Sequence, residues 1–278
     1  MMDKPLHLSD FKALTFDVGG TLIDIEAGIL NWFRPHLIRH RLAVSDSALL
    51  EAFAQSEEKY LQLLPQISFT RILPVVYREI AESCGLTPHE ADGEAFMQSV
   101  QHWPAFPDSV SALQRLRKHF LLVAVTNVDS EFFRLMNQTL SDPFDLHSTC
   151  DEAGCNKPDL RVFQHMLAKL EEQSIERSQV LHIAQSQFHD LIPATRLGLR
   201  TVWLKRRKDR TGFGATPVPT ELISPVWTIT GLHTLAELHQ EEQQHDALLL
   251  ERPFSLKVRF VHDVSATVRA GFKPAPSA

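Results

Sequence analysis

Cysteine is scarce in this 278-residue chain: Cys84, Cys150 and Cys155 are odd in number and show no repeated CxxC spacing. That excludes a disulfide framework and offers no zinc-site spacing, so the thiols are expected to be reduced. Positive charge is not in excess either. Lys and Arg total 28 against 34 for Asp and Glu, a formal net charge of −6, so no broad cationic field is available to hold nucleic acid. No apolar run approaches the ~20 residues needed to cross a bilayer, and Met1 to Asp10 lacks an apolar stretch of signal-peptide length. There are no internal repeats. What remains is an ordinary folded composition, 44% hydrophobic and 22% charged, long enough for an α/β domain with a smaller insert. The expectation is a cytoplasmic chain whose partner is a small molecule, with no membrane or nucleic-acid partner; a homodimer is compatible with these features.

Ala13 to Val18 is a short apolar run closed by Gly19 and Gly20, which reads as a buried strand and a tight turn. From Glu26 to about Cys84 apolar residues recur at helical spacing, as in Ile29, Leu30, Phe33 and Leu37, with Pro35, Pro65 and Pro74 punctuating the helices. A further helix is expected from His89 to His102. After Pro104 the pattern becomes α/β alternation: strands at Phe120 to Val125, near Leu146, at Val180 to Ala184 and at Thr201 to Leu204, with helices between them. Val226 to Ile229 adds an edge strand and Leu232 to His239 a last helix. This implies a doubly wound parallel sheet with its ligands at the carboxyl ends of the strands. The core spans 10–24 and 104–240, a helical insert spans 25–103, and 241–278 reads as a poorly ordered tail.

Four segments carry candidate chemistry, each just after a strand. Asp17, in FDVGGTLID, can be a nucleophile if the Gly19 and Gly20 backbone presents N–H groups to a developing anion; a plain turn aspartate is an equal alternative. Thr126 and Asn127 can hold an anion by neutral hydrogen bonds, or simply cap the next helix. Lys157, before Pro158, would keep a neighbouring carboxylate ionised and offset negative charge, or be a solvated lysine. Asp190 ends the run from Gln185 and would orient Lys157 or a water, unless it is a helix N-cap.

An Asp, a Thr-Asn pair, a Lys-Pro and a terminal Asp in this order resemble the four motifs of the haloacid dehalogenase superfamily, over roughly Phe11 to Leu238. Within it, DVGGTLIDIEAGI and HIAQSQFHD most resemble the type II 2-haloacid dehalogenase-like branch. The resemblance implies a Rossmann-like core with an inserted cap domain. It also implies Asp17 as nucleophile, Lys157 as its charge partner, and Asp190 as the residue that positions the hydrolytic water. Thr126, Asn127, Gly20 and Gln185 become substrate contacts, and a cap arginine, for which Arg34 is preferred over Arg39 and Arg41, becomes the halide ligand.

Two departures separate the chain from the phosphatases of that superfamily. Where they carry a second aspartate that protonates the leaving alcohol stands Gly19, and where they carry an acidic Mg²⁺ ligand stands Gln185. General acid catalysis is typically worth about 10²–10⁴-fold, and a neutral amide is a weak ligand for a hard cation. Halide leaves without a proton, so a 2-haloacid hydrolase with no cofactor is the expected activity. The branch usually has an aromatic residue at the Gly19 position, which points to a roomier pocket here. Two alternatives stand beside it: a Mg²⁺-dependent phosphatase with Asp17 and Asp190 as ligands, and an inactive dehalogenase-like accessory protein.

Overall fold

The computed structural model describes residues 6–250, with side chains over 6–245. Six strands form one all-parallel sheet: β1 (Ala13–Phe16), β2 (Leu121–Val125), β3 (Leu146–Ser148), β4 (Val180–Ala184), β5 (Arg200–Leu204) and β6 (Trp227–Ile229), in the order β3-β2-β1-β4-β5-β6. Every residue of β1 and β4 is buried, as continuous apolar strands must be when helices cover both faces of a sheet. The connections leave β1 toward β2 on one side and β4 on the other. This reversal opens a crevice at the carboxyl ends of these three strands.

Between β1 and Trp103 the chain forms four α-helices, α1 (Ile25–Arg39), α2 (Asp46–Leu63), α3 (Phe69–Ser83) and α4 (Glu90–Ser99). The side chains of Asp24, Ser45 and Ser68 accept from the backbone N–H of Ala27, Ala48 and Arg71, capping the first three. An aromatic cluster of Phe33, Tyr77, Phe96 and Trp103 fills the space among them. Gly28 lets α1 close on Trp103, because a Cβ there would stand 2.4 Å from the indole ring. The remaining helices flank the sheet: α5 (Ser109–Leu116), α6 (Ser130–Thr139), α7 (Cys150–Ala153), α8 (Leu160–Glu172), α9 (Ile192–Arg196) and α10 (His233–Leu250).

Two expectations from the sequence are corrected. Pro35 and Pro74 lie inside α1 and α3 rather than between helices, and only Pro65 falls in a connection. Each removes one helical hydrogen bond, but buried neighbours, Phe33 and Leu37 in α1, Leu73 and Val76 in α3, pack the helix on both sides of the gap. The last helix also continues past Gln240 to Leu250, where a tail was expected. Glu and Gln are good helix formers, and Glu242 is tied down by the backbone N–H groups of Leu8 (2.8 Å) and Ser9 (3.0 Å). Residues 251–278 of that expected tail lie outside the described residues. No helix among the described residues is long and apolar enough to cross a membrane.

Candidate active site

Asp17 follows β1, Lys157 lies in the loop before α8, and Asp190 lies in a wide turn after β4 in which the Leu191 N–H reaches back five residues to the Ser186 carbonyl (3.1 Å). The three side chains converge. The Lys157 ammonium donates to Asp17 Oδ1 (2.8 Å), Asp190 Oδ1 (2.7 Å) and the Val125 carbonyl (2.8 Å), so all three of its hydrogens are used. Lys157 is 1% exposed, which no solvated surface lysine would be. Asp190 is not an N-cap: its Oδ1 also meets His182 Nε2 (3.2 Å), and His182 Nδ1 meets the Thr15 hydroxyl (2.9 Å). Thr21 donates to Asp17 Oδ2 and accepts from the Gln185 N–H (2.9 Å), binding the turn after β1 to the end of β4.

One ammonium serves two buried carboxylates, and the imbalance falls on Asp17. Burial raises its pKa, Lys157 opposes the rise, and Asp190 adds to it. Burial would raise Asp190 too, but Lys157 and His182 pull it below its ordinary value. Lys157 shows the mirror effect: burial alone would lower it, and the two carboxylates lift it above an ordinary lysine. A desolvated carboxylate held by a fixed charge partner is an activated nucleophile.

The residues expected from the sequence meet different fates. Thr126 and Asn127 line the same small cavity as Asp17, about 50 Å³ in volume, with Thr126 accepting from the Val128 N–H (3.3 Å). The Asn127 amide, however, faces the Lys157 main chain: Oδ1 accepts from Lys157 N (2.7 Å) and Nδ2 donates to Lys157 O (3.1 Å). It places the lysine rather than serving first as an anion ligand. The Gly20 N–H, expected to face substrate, is spent on the Ile23 carbonyl (2.8 Å), and Gly20 lines an outer cavity of about 230 Å³. Gly19 borders the inner cavity instead. Gln185 borders both, its side-chain oxygen accepting from the Thr216 hydroxyl (3.1 Å).

Arg34 does not reach the site. It is half exposed and pairs with Asp46 at the start of α2 (2.5 Å), and no arginine lines the inner cavity among the described residues. The position following Trp32 and Phe33 puts Arg34 on the outer face of α1, whereas Phe33 turns inward. Sequence reasoning missed three lining or supporting residues. Glu57 of α2 borders the inner cavity, His189 borders it as a neutral ring whose pKa burial lowers to about 4, and His182 supports Asp190 from below.

A model of the haloacid dehalogenase-like hydrolases matches residues 11–192, a span that contains all of these strand-end groups. The chain belongs to that family. The pyrimidine 5′-nucleotidase YjjG of Escherichia coli (strain K12) is 29% identical over 161 residues, 57% of this hydrolase and 67% of the nucleotidase. Among solved structures, the defluorinating L-2-haloacid dehalogenase Rha0230 aligns with a TM-score of 0.69 at 18% identity, covering 85% of this chain and all of that one. The L-2-haloacid dehalogenase from Xanthobacter autotrophicus also gives 0.69 at 18%, covering 83% and 98%. At such identities the likeness is one of fold.

Many members of the family use Mg²⁺, and the donors present here fit that ion poorly. A hard divalent cation asks for about six oxygens at close range. The Oδ1 atoms of Asp17 and Asp190 are both occupied by the Lys157 ammonium, and the Gln185 oxygen is engaged by Thr216. No group of three or more His, Cys, Asp or Glu among the described residues is arranged to hold a metal. Asp190 Oδ2 is fully buried and has no hydrogen-bond partner among the described residues.

Proposed function

We propose that this hydrolase acts without a metal ion on a small anionic carboxylic acid, with a 2-haloacid as the best-supported substrate. The Asp17 carboxylate attacks the carbon bearing the halogen, the carbon–halogen bond breaks, and the halide leaves with the electron pair. Water then hydrolyses the aspartyl ester, regenerating Asp17 and releasing a 2-hydroxy acid. Asp190, with its free Oδ2 beside the trio, takes a proton from that water. The reading rests chiefly on the placement of the Lys157 ammonium, 2.8 Å from Asp17 and 2.7 Å from Asp190, where fixed positive charge serves the nucleophile directly.

Halide release from 2-chloropropionate by the purified protein tests it, together with transfer of ¹⁸O from labelled water into Asp17 during a single turnover. Asp17→Asn is expected to lower the rate by at least about 10⁴-fold. If a folded sample releases no halide from any short 2-haloacid, the substrate assignment is wrong. The 29% identity to a nucleotidase supports a second reading, hydrolysis of a small phosphate monoester. Phosphate release that requires added Mg²⁺ and stops with EDTA would select it.

A further inference from the structure

The inner cavity has a floor and a roof of different chemistry. Asp17, Thr126, Lys157 and Asp190 come from the connections beyond the carboxyl ends of the strands, whereas Ile25, Glu57 and Phe69 come from the helices between β1 and β2. Glu57 lies four residues after Phe53 and four before Leu61, both buried, and so sits on the inward face of α2. It is 6% exposed and has no hydrogen bond or ion pair among the described residues. The charged groups around it are Asp17, Asp190 and Lys157 on the floor and Glu58 on its own helix; His189 is neutral. Lys157 is already committed to the two aspartates. Burial first, then the Asp17 charge, push the Glu57 carboxyl up to about 8, so it carries a proton at neutral pH.

The space beside Asp17 is open for it. A Cβ added to Gly19 would meet only Ile25 Cγ2 at 3.5 Å, an ordinary contact, and the Gly19 backbone is not in the left-handed region. A Cβ would therefore be tolerated there, and its absence leaves Glu57 and Asp17 lining one cavity with only the Gly19 backbone beside the carboxylate. In an in-line displacement the leaving group departs on the side away from the attacking oxygen. With Asp17 on the floor, that side is the roof.

We propose that Glu57 is a proton donor to the leaving group, delivered from the helical insert in place of a side chain at Gly19, and that the substrates it suits release an oxygen. This rests on the reading of Asp17 as nucleophile and goes beyond the halide. On a carbon centre the class is a 2,3-epoxy acid, in which oxygen occupies the place of the halogen in a 2-haloacid. Asp17 attacks C2, the C2–O bond breaks, and the ring oxygen keeps the electron pair and takes the Glu57 proton. Water hydrolyses the ester, and its proton restores Glu57. The net change is epoxide plus water to diol. On phosphorus, the same proton would go to the departing alcohol of a phosphate monoester.

Four probes separate these cases: 2-chloropropionate, glycidate, propyl phosphate and 4-nitrophenyl phosphate, each with the wild type, Glu57→Gln and Asp17→Asn. The expected result is turnover of glycidate that Glu57→Gln lowers by at least about 10²-fold, and by at least about tenfold more than it lowers turnover of 2-chloropropionate. If the oxygen belongs to a phosphate ester, propyl phosphate suffers the large loss. The 4-nitrophenyl ester, whose leaving group needs no proton, then loses less than about tenfold. Wild-type turnover of the oxygen substrates falls as pH rises through about 8, and that of 2-chloropropionate does not. Equal losses on every probe, or turnover of 2-chloropropionate alone, overturn the proposal and leave the Asp17 reading intact. Turnover surviving in Asp17→Asn overturns the Asp17 reading itself, and no turnover of any probe by folded protein removes both.

Discussion

The floor and the roof of the inner cavity handle buried charge in opposite ways. On the floor, Asp17, Lys157 and Asp190 are all buried, and each is matched by an opposite charge within 2.8 Å. On the roof, Glu57 is as buried as Asp17 but has no partner, and it meets the cost of burial by keeping its proton. The sheet therefore fixes charge, and the helices above supply a neutral donor. The difference separates compensated charge below from an uncharged acid above; in the proposed function the nucleophile belongs to the first and leaving-group assistance to the second.

Removing Lys157 breaks this contrast most severely. Lys157→Met leaves two buried carboxylates facing each other, with an expected loss of about 3–5 kcal/mol in urea unfolding and a loss of activity beyond about 10³-fold. Unchanged stability would mean that the ammonium does not hold the floor together. A smaller effect, of opposite sign, is expected on the roof. The folded-state pKa of Glu57, about 8, lies above its ordinary value of 4.5, so the folded chain holds a proton that the unfolded chain releases between those limits. Its contribution to stability is therefore full below pH 4.5 and is lost as pH rises through 8. Glu57→Gln should match the wild type near pH 4.5 and exceed it by about 1–3 kcal/mol at pH 7.5, read from unfolding curves at the two pH values. The smallest effect belongs to Arg34, on the outer face of the same helical segment. Arg34→Ala is expected to change stability by less than about 0.5 kcal/mol and KM by less than about twofold. A larger KM effect would bring that arginine back to the site.

Much of the floor was legible in the sequence, because strand ends in a doubly wound sheet announce themselves through apolar runs that stop at Asp17, Thr126 and Gln185. Lys157 and Asp190 followed from the motif order. What the pattern did not carry was direction. Gly20 and Asn127 were placed correctly along the chain, yet their polar groups turn to Ile23 and to the Lys157 main chain, choices made by backbone geometry three to thirty residues away. The roof was less legible, since a glutamate in QSEEKY reads as solvated. One signal was available: the spacing Phe53, Glu57, Leu61 puts an acid on the apolar stripe of its helix. His182 offered a similar one, a lone polar residue inside the continuous apolar strand VLHIA.

Asn127 joins the two halves. Its side chain grips the main chain of Lys157, while its own carbonyl receives the Phe69 N–H (2.9 Å) at the first residue of α3. The height of the roof and the position of the ammonium are thus set from one peptide, and they are not independent variables. A chain that drifted at this residue would shift both at once, so pocket size and the charge beside Asp17 would be inherited together in its descendants.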